Sequence, residues 1–206
     1  MSGNFLAYSI LKISKVFVWG TLFVNGRNFL GRICVFHRGG GNRFKYRIVD
    51  FHRRLNQFGF IYSVFYDPNR TAFLGLVLYF NGFFSNIILS DNVSLGSFIF
   101  SGDDSLLINS RDFKEQLGSS LPLSFLRLYS IVHNVELRPF FGSVLARAAG
   151  TSLIIVSILS DKIILKSKSG WLLTVSNKCM CSLGFVSNIL YKSIRLGKAG
   201  KVRGLG

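Results

Sequence analysis

Eight cations, Arg27, Arg32, Arg38, Arg43, Lys45, Arg47, Arg53 and Arg54, fall within residues 27–54, with Asp50 the one acid among them. Like charges this dense repel one another unless a polyanion neutralises them, and a packed enzyme core has no use for them. Gly26, Gly31 and the run Gly39-Gly40-Gly41 lie in and beside this stretch, and glycine lets backbone N–H groups approach phosphates closely. A second basic cluster, Lys192, Arg195, Lys198, Lys201 and Arg203, occupies the last fifteen residues without any acid. Between them the balance reverses: Asp91, Asp103, Asp104, Asp112 and Glu115 outnumber Arg111 and Lys114. The basic stretches therefore fit nucleic acid, and the middle fits water or another protein.

Other constellations carry less chemistry. Arg38-Gly39-Gly40-Gly41-Asn42-Arg43 has the outline of a phosphate-binding loop, but it lacks a Gly-Lys-Ser/Thr ending and leads into a strand pattern. No helix N-terminus is then available for a nucleotide phosphate. It reads as a flexible basic loop along an RNA backbone, or else as a solvent-exposed hairpin loop. Arg147 sits among Leu145, Ala146, Ala148, Ala149 and Gly150, small neighbours that permit close approach while its guanidinium grips phosphate or stacks on a base. In Tyr66-Asp67-Pro68-Asn69-Arg70, Pro68 and Asp67 specify a turn from which Arg70 can also reach a phosphate. His37, among arginines, suits stacking or hydrogen bonding with RNA, whereas His133 reads as a structural histidine in a strand. No serine, cysteine or carboxylate pattern completes a nucleophilic site with His37, His52 or His133, so no catalytic residue is assigned. Cys34, Cys179 and Cys181 are an odd number, against a disulfide framework, and Cys179-Met180-Cys181 lacks the two-residue gap and second pair of a zinc site. No metal and no cofactor is expected.

The elements that must position these residues are strands. Arg32–Phe36, Phe44–Phe51, Phe60–Tyr66, Ala72–Phe80 and Asn86–Leu89 are rich in aromatic and β-branched residues and punctuated by Gly, Asn and Pro. Five short strands with basic loops fit an oligonucleotide-binding (OB) barrel. Leu121-Pro122 marks a linker, and a second set follows at Ser130–Leu137, Ser152–Leu159, Lys162–Lys166, Leu172–Ser176 and Ser182–Val186, with turns at Asp161 and Ser169-Gly170. Another five strands read as a second small barrel. The segment 111–116 has the length of one helical turn.

Seven runs carry a family resemblance: Gly31-Arg32-Ile33, His37–Gly41, Tyr46–Phe51, Tyr66–Arg70, Val132–Glu136, Leu145–Thr151 and Leu196–Gly200. In this order and spacing they resemble the L-two family of large-subunit ribosomal proteins. The resemblance implies an all-β chain: an N-terminal extension (1–26), an OB RNA-binding domain (27–118), an SH3-like barrel (119–193) and a basic C-terminal extension (194–206). It implies a structural constituent of the large subunit that binds its ribosomal RNA near the peptidyl-transferase region and contacts neighbouring ribosomal proteins. The residues placed at RNA are Arg27, Asn28, Arg32, His37, Arg38, Arg43, Arg70, Arg147, Lys198, Lys201 and Arg203. Phe140-Phe141-Gly142-Ser143-Val144 departs from the family's glycine- and lysine-rich pattern and takes cationic contact out of that loop. The family's pattern continues beyond Gly206 with a glycine- and histidine-rich region, which this chain is expected to lack and a separate polypeptide to supply. The alternative function is a free-standing single-strand RNA-binding protein with an aromatic stacking platform.

The net charge of +16 accompanies 49% hydrophobic residues, with 21 Phe. Apolar runs at Val16–Val24, Ala72–Phe84 and Ser152–Leu159 fall short of the roughly 18–20 residues a spanning helix needs. No membrane span is expected. Phe, Leu, Ile, Ser, Asn and Tyr crowd positions that are polar in the family, as drift in an AT-rich organelle genome produces. The expected location is therefore the mitochondrial ribosome, or that of another organelle. Residues 1–24 are acid-free but contain no arginine, which makes them a poor transit peptide.

Overall fold

The computed structural model describes residues 17–20, 25–36, 44–103 and 116–204, the side chains of 202–204 excepted. Its contacts divide the chain into two units, one of residues 1–48 with 192–206 and one of residues 49–191.

In the first unit, β1 (Val18–Gly20) pairs antiparallel with β2 (Lys45–Arg47), placing Trp19 opposite Tyr46. A tight loop follows Asn25, and a six-residue helix, α1 (Ala199–Gly204), lies near the end of the chain.

The second unit begins with β3 (Gln57–Phe65), β4 (Leu74–Tyr79), β5 (Phe84–Ile88) and β6 (Phe98–Ser101). Asn81 and Gly82 (φ +84°) make the β4–β5 turn, where the Asn81 carbonyl oxygen of the side chain accepts from Phe83 N–H. Then come β7 (Ser120–Pro122), β8 (Ile131–His133), β9 (Val135–Glu136), β10 (Ser143–Leu145), β11 (Leu153–Ile158), β12 (Lys162–Ser167), β13 (Leu172–Ser176) and β14 (Met180–Leu183). Ten of these form one sheet in the order β13-β12-β11-β8-β14-β7-β6-β3-β4-β5, and β9 pairs with β10. Among the described residues every pairing is antiparallel except the bridge Ser101–Ser120, which joins the two halves through β6 and β7. Apart from α1 the described residues are nearly all-β, as expected.

Among the described residues three apolar clusters fill this unit. Ile61, Val77, Tyr79, Ile87, Leu89 and Ile99 make the core of the N-terminal half, and Val49, Ala72, Leu74, Ile88 and Val186 a smaller one beside it. The largest gathers Leu121, Val132, Val135, Ile155, Ile163, Leu165 and Cys181 of the C-terminal half around Phe100, which comes from β6. Each half thus contributes to the other's burial.

Several sequence expectations need correction. Leu121-Pro122 is no linker: it lies in β7, with Leu121 fully buried opposite Cys181. Pro122 is tolerated because β6 reaches β7 only at Ser120, so no ladder bond is asked of the missing N–H. Arg32–Phe36 is not a strand, because Asn28 and Gly26 take up the N–H groups of Arg32, Cys34 and Val35 within the loop. In Phe44–Phe51 only Lys45–Arg47 is strand; the Asp50 side chain then accepts from His52 and Arg53 N–H and turns the chain. Ser130–Leu137 is broken at Asn134, whose φ is +49°, and Gly184 (φ +99°) ends β14 short of Val186. Strands β1, β6, β7 and β10 were not foreseen, and residues 111–115 of the expected helical turn lie outside the described residues.

Candidate nucleic-acid interface

In the first unit the expected contacts Arg27, Asn28 and Arg32 share one loop. Asn25 (φ +47°) and Gly26 (φ +69°) turn the chain into it, and Arg27 and Ile33 close it by a β-bridge. The half-buried Asn28 side chain accepts from Leu30 N–H at 3.0 Å and Arg32 N–H at 2.9 Å. Arg27 Nη1 donates to Gly31 O at 2.9 Å. Asn28 therefore shapes the loop, while the loop raises Phe29, 94% exposed, between exposed Arg27 and Arg32. A ring flanked by two guanidinium groups can stack on a base as they hold its phosphates. Phe29 was missed from the sequence because an aromatic beside apolar residues reads as core. Lys198 and Lys201 are exposed at the start of α1. The side chain of Arg203, and all of His37, Arg38 and Arg43, lie outside the described residues.

In the second unit Arg70 and Arg147, far apart in the chain, converge on Phe51. The Arg70 guanidinium lies 5.9 Å and that of Arg147 4.9 Å from the centre of its ring. Buried Asp67 accepts from Arg70 Nε at 2.6 Å and from Asn69 N–H at 3.2 Å, so the Pro68 turn both forms and aims the arginine. The loop carrying Arg147 is stitched down on both sides. Ser143 donates from its N–H and its hydroxyl to Phe51 O, at 3.0 and 2.9 Å. Ala149 N–H donates to Thr71 Oγ1 at 3.1 Å, and Asn188 Nδ2 to Thr71 O at 2.8 Å. A left-handed Ala146 (φ +50°) turns Arg147 outward, where it is exposed. Gly150 (φ +65°) is required here, since a Cβ would meet the Ile189 backbone at 3.1 Å. Two cations on an aromatic ring, backed by a hydrogen-bonded corner, form a surface suited to a phosphate backbone.

Arg53 and Arg54, counted with the phosphate-facing cations, are structural. Arg53 is 2% exposed. Its guanidinium donates to Ser101 Oγ through Nε and Nη2 (3.1 and 2.8 Å), and to Gly118 O (2.7 Å), Ser182 Oγ (3.2 Å) and Phe100 O (3.3 Å). All its N–H groups are satisfied by carbonyls and hydroxyls of the described residues. Arg54 bridges Asp103 at 2.7 Å and the fully buried Glu136 at 2.9 Å, and lies 4.2 Å from the centre of the Phe140 ring. Glu136 also accepts from the N–H groups of Gly142 and Met180, at 3.2 and 3.0 Å. The Phe140 that departs from the family pattern thus covers a structural arginine.

Among the described residues no catalytic constellation assembles. His133 is buried; with Nδ1 donating to Gly184 O at 2.9 Å, its neutral ring leaves Nε2 as an acceptor 3.3 Å from Ser90 Oγ, whose hydrogen is shared with Leu183 O at 3.3 Å. Burial, reinforced by the nearby Arg53 charge and opposed by the bond to Gly184, lowers its pKa to about 4. Burial, with the Glu136 charge, pushes the Cys179 thiol up to about 11, and burial also raises Cys181, which donates to Leu121 O at 3.4 Å. Protonated buried thiols are poor ligands and nucleophiles. Among the described residues no cluster of three metal-ligating side chains occurs, and no helix is long and apolar enough to cross a membrane.

Comparison with known proteins matches residues 17–101 to the family model "Ribosomal Proteins L2, RNA binding N-terminal domain" and residues 116–206 to "Ribosomal Proteins L2, C-terminal domain". Relatives called "Large ribosomal subunit protein uL2" include that of Orientia tsutsugamushi, 38% identical over 91% of this chain and 66% of the relative. That of Wolbachia pipientis subsp. Culex pipiens is 37% identical over 95% and 69%, and that of Rickettsia canadensis 36% identical over 96% and 74%. The chain thus spans about two thirds to three quarters of the length of these relatives. The expected lack of a C-terminal region, with a separate polypeptide to supply it, finds no support, because the C-terminal-domain model matches through residue 206.

Proposed function

Because the chain belongs to the ribosomal protein L2 family, we propose that it is a structural constituent of the large ribosomal subunit, binding large-subunit RNA near the peptidyl-transferase region. It is not an enzyme; its relatives bear the name of a ribosomal subunit protein. The observation that carries the reading is the convergence of Arg70 and Arg147, one from each half, on the ring of Phe51. RNA lying there engages the OB half (27–118) and the SH3-like half (119–193) together. Arg27, Arg32, Lys198 and Lys201 add exposed cations, Asn28 holds the loop of the first two, and His37, Arg38, Arg43 and Arg203 complete the contact set.

We place the protein in the mitochondrial ribosome. In support, its relatives come from Rickettsia-type bacteria, the lineage from which mitochondria descend, and its Phe-rich composition fits an AT-rich organelle gene. Sedimentation tests the reading. The chain should remain with large subunits at salt that strips loosely held proteins, and Arg70→Ala with Arg147→Ala should release it at lower salt. Release of the unmodified chain at moderate salt would favour a free-standing single-strand RNA binder.

A further inference from the structure

A ladder of aromatic rings crosses the outer face of β3–β6. It starts in the core at Phe100 and steps to Phe58 (4.9 Å between ring centres), Phe80 (6.5 Å), Phe98 (6.4 Å), Phe60 (6.4 Å), Tyr62 (6.5 Å) and Phe84 (5.8 Å). The pairing register explains its continuity: Phe98 is opposite Phe60, Phe60 opposite Leu78, and Leu78 opposite Phe84, one apolar residue from each of four strands in a single row. The inner face of the same strands holds Ile61, Val77, Tyr79, Ile87 and Ile99. The ladder is therefore a second apolar face, and it is open: Phe80 is 67% and Phe98 53% exposed.

Charge decides what this face can take. Residues 57–66, 72–90 and 92–101 contain no Lys, Arg, His, Asp or Glu, and Asp67 and Arg70 between the first two runs cancel in charge, with the Arg70 guanidinium at the Phe51 ring. A surface without cations offers a polyanion no phosphate neutralisation, the term that dominates RNA affinity. A second copy of the chain would bring its own net charge of +16 against an equal charge. An aromatic-rich, charge-free patch has the composition of the centre of a protein–protein interface. We propose that the outer face of β3–β6 docks an apolar, uncharged patch of a different protein of the same particle. This rests on the ribosomal reading above.

The experiment is photocrosslinking in purified large subunits that carry the full chain with benzoylphenylalanine in place of Phe98. The expected product joins this chain to one other protein, identified by its peptides. The same probe in place of Phe29 should yield RNA adducts. Phe80→Ser with Phe98→Ser should then leave this chain in the subunit and reduce the crosslinked protein there at least tenfold. A crosslink from position 98 to RNA or to a second copy, no crosslink at all, or full retention of the neighbour in the double variant would each overturn the proposal. If this chain itself is absent from the large-subunit peak, the ribosomal reading fails first, and the docking proposal with it.

Discussion

The loop at Asn25–Phe36 and the corner at Asp50–Arg54 belong to one run of cations, yet they use their arginines in opposite ways. In the loop, Arg27 and Arg32 stand in water beside an exposed ring. At the corner, Arg53 disappears into a cage of carbonyls and hydroxyls, and Arg54 spans two carboxylates. The difference lies in what each neighbourhood offers. The loop spends its polar groups on its own backbone, whereas the corner faces buried acceptors that require a donor. A basic stretch thus divides into cations that bind a partner and cations that close the fold.

That division should be sharpest at Arg53. Arg53→Met leaves Gly118 O, Phe100 O and Ser182 Oγ short of a donor, whereas Ser101 Oγ keeps the Tyr79 hydroxyl, so at about 1–3 kcal/mol for each unsatisfied group a loss of at least about 3 kcal/mol is expected in urea unfolding. Arg53→Lys should recover only part of it. An unchanged midpoint in Arg53→Met would break the comparison. Arg54→Ala strands the Glu136 carboxylate, with an expected cost of about 2–4 kcal/mol. Adding Glu136→Gln should return roughly half of this, whereas simple additivity of the two losses would refute the pairing.

Burial, to which the Arg53 charge adds, also governs a neighbouring side chain. His133, held neutral with a pKa near 4 against an ordinary 6.5, contributes stability that is fully present above about pH 6.5. Below that the unfolded chain takes up the proton first, and stability falls by up to about 1.4 kcal/mol per pH unit until pH 4. His133→Gln should flatten this part of the profile; an identical profile would assign the acid sensitivity elsewhere. The smallest effect on stability belongs to the loop. Arg27→Ala with Arg32→Ala should change unfolding by less than about 0.5 kcal/mol, while the log-log salt slope for RNA binding drops by about 1.8 on duplex or 1.4 on single strands. A large stability loss with an unchanged slope would reverse the roles of the two regions.

The strands β3, β4, β11, β12 and β13 were legible because their apolar patterning and turn residues agree. Those that escaped are short or end at side-chain turns. β6 and β7 are held mainly by partners distant in the chain; β2 was foreseen but drawn too long, since Asp50 captures two N–H groups just beyond it. The motif around Arg147 and the turn before Arg70 could be read locally, but their meeting on Phe51 is a property of the tertiary structure. The fate of Arg53 was illegible for the same reason, since its acceptors lie at 100, 101, 118 and 182.

Those positions also set a clock. Ser182 follows Arg53 by 129 residues, which at roughly 5–20 residues per second is on the order of ten seconds of synthesis. Throughout that interval the nascent chain has made the guanidinium but not its last acceptor, and from Phe100 onward it has made that ring but not the cluster that covers it. The half that meets RNA first in sequence is thereby kept from maturing alone, and its final locking waits for the strand that ends at Leu183.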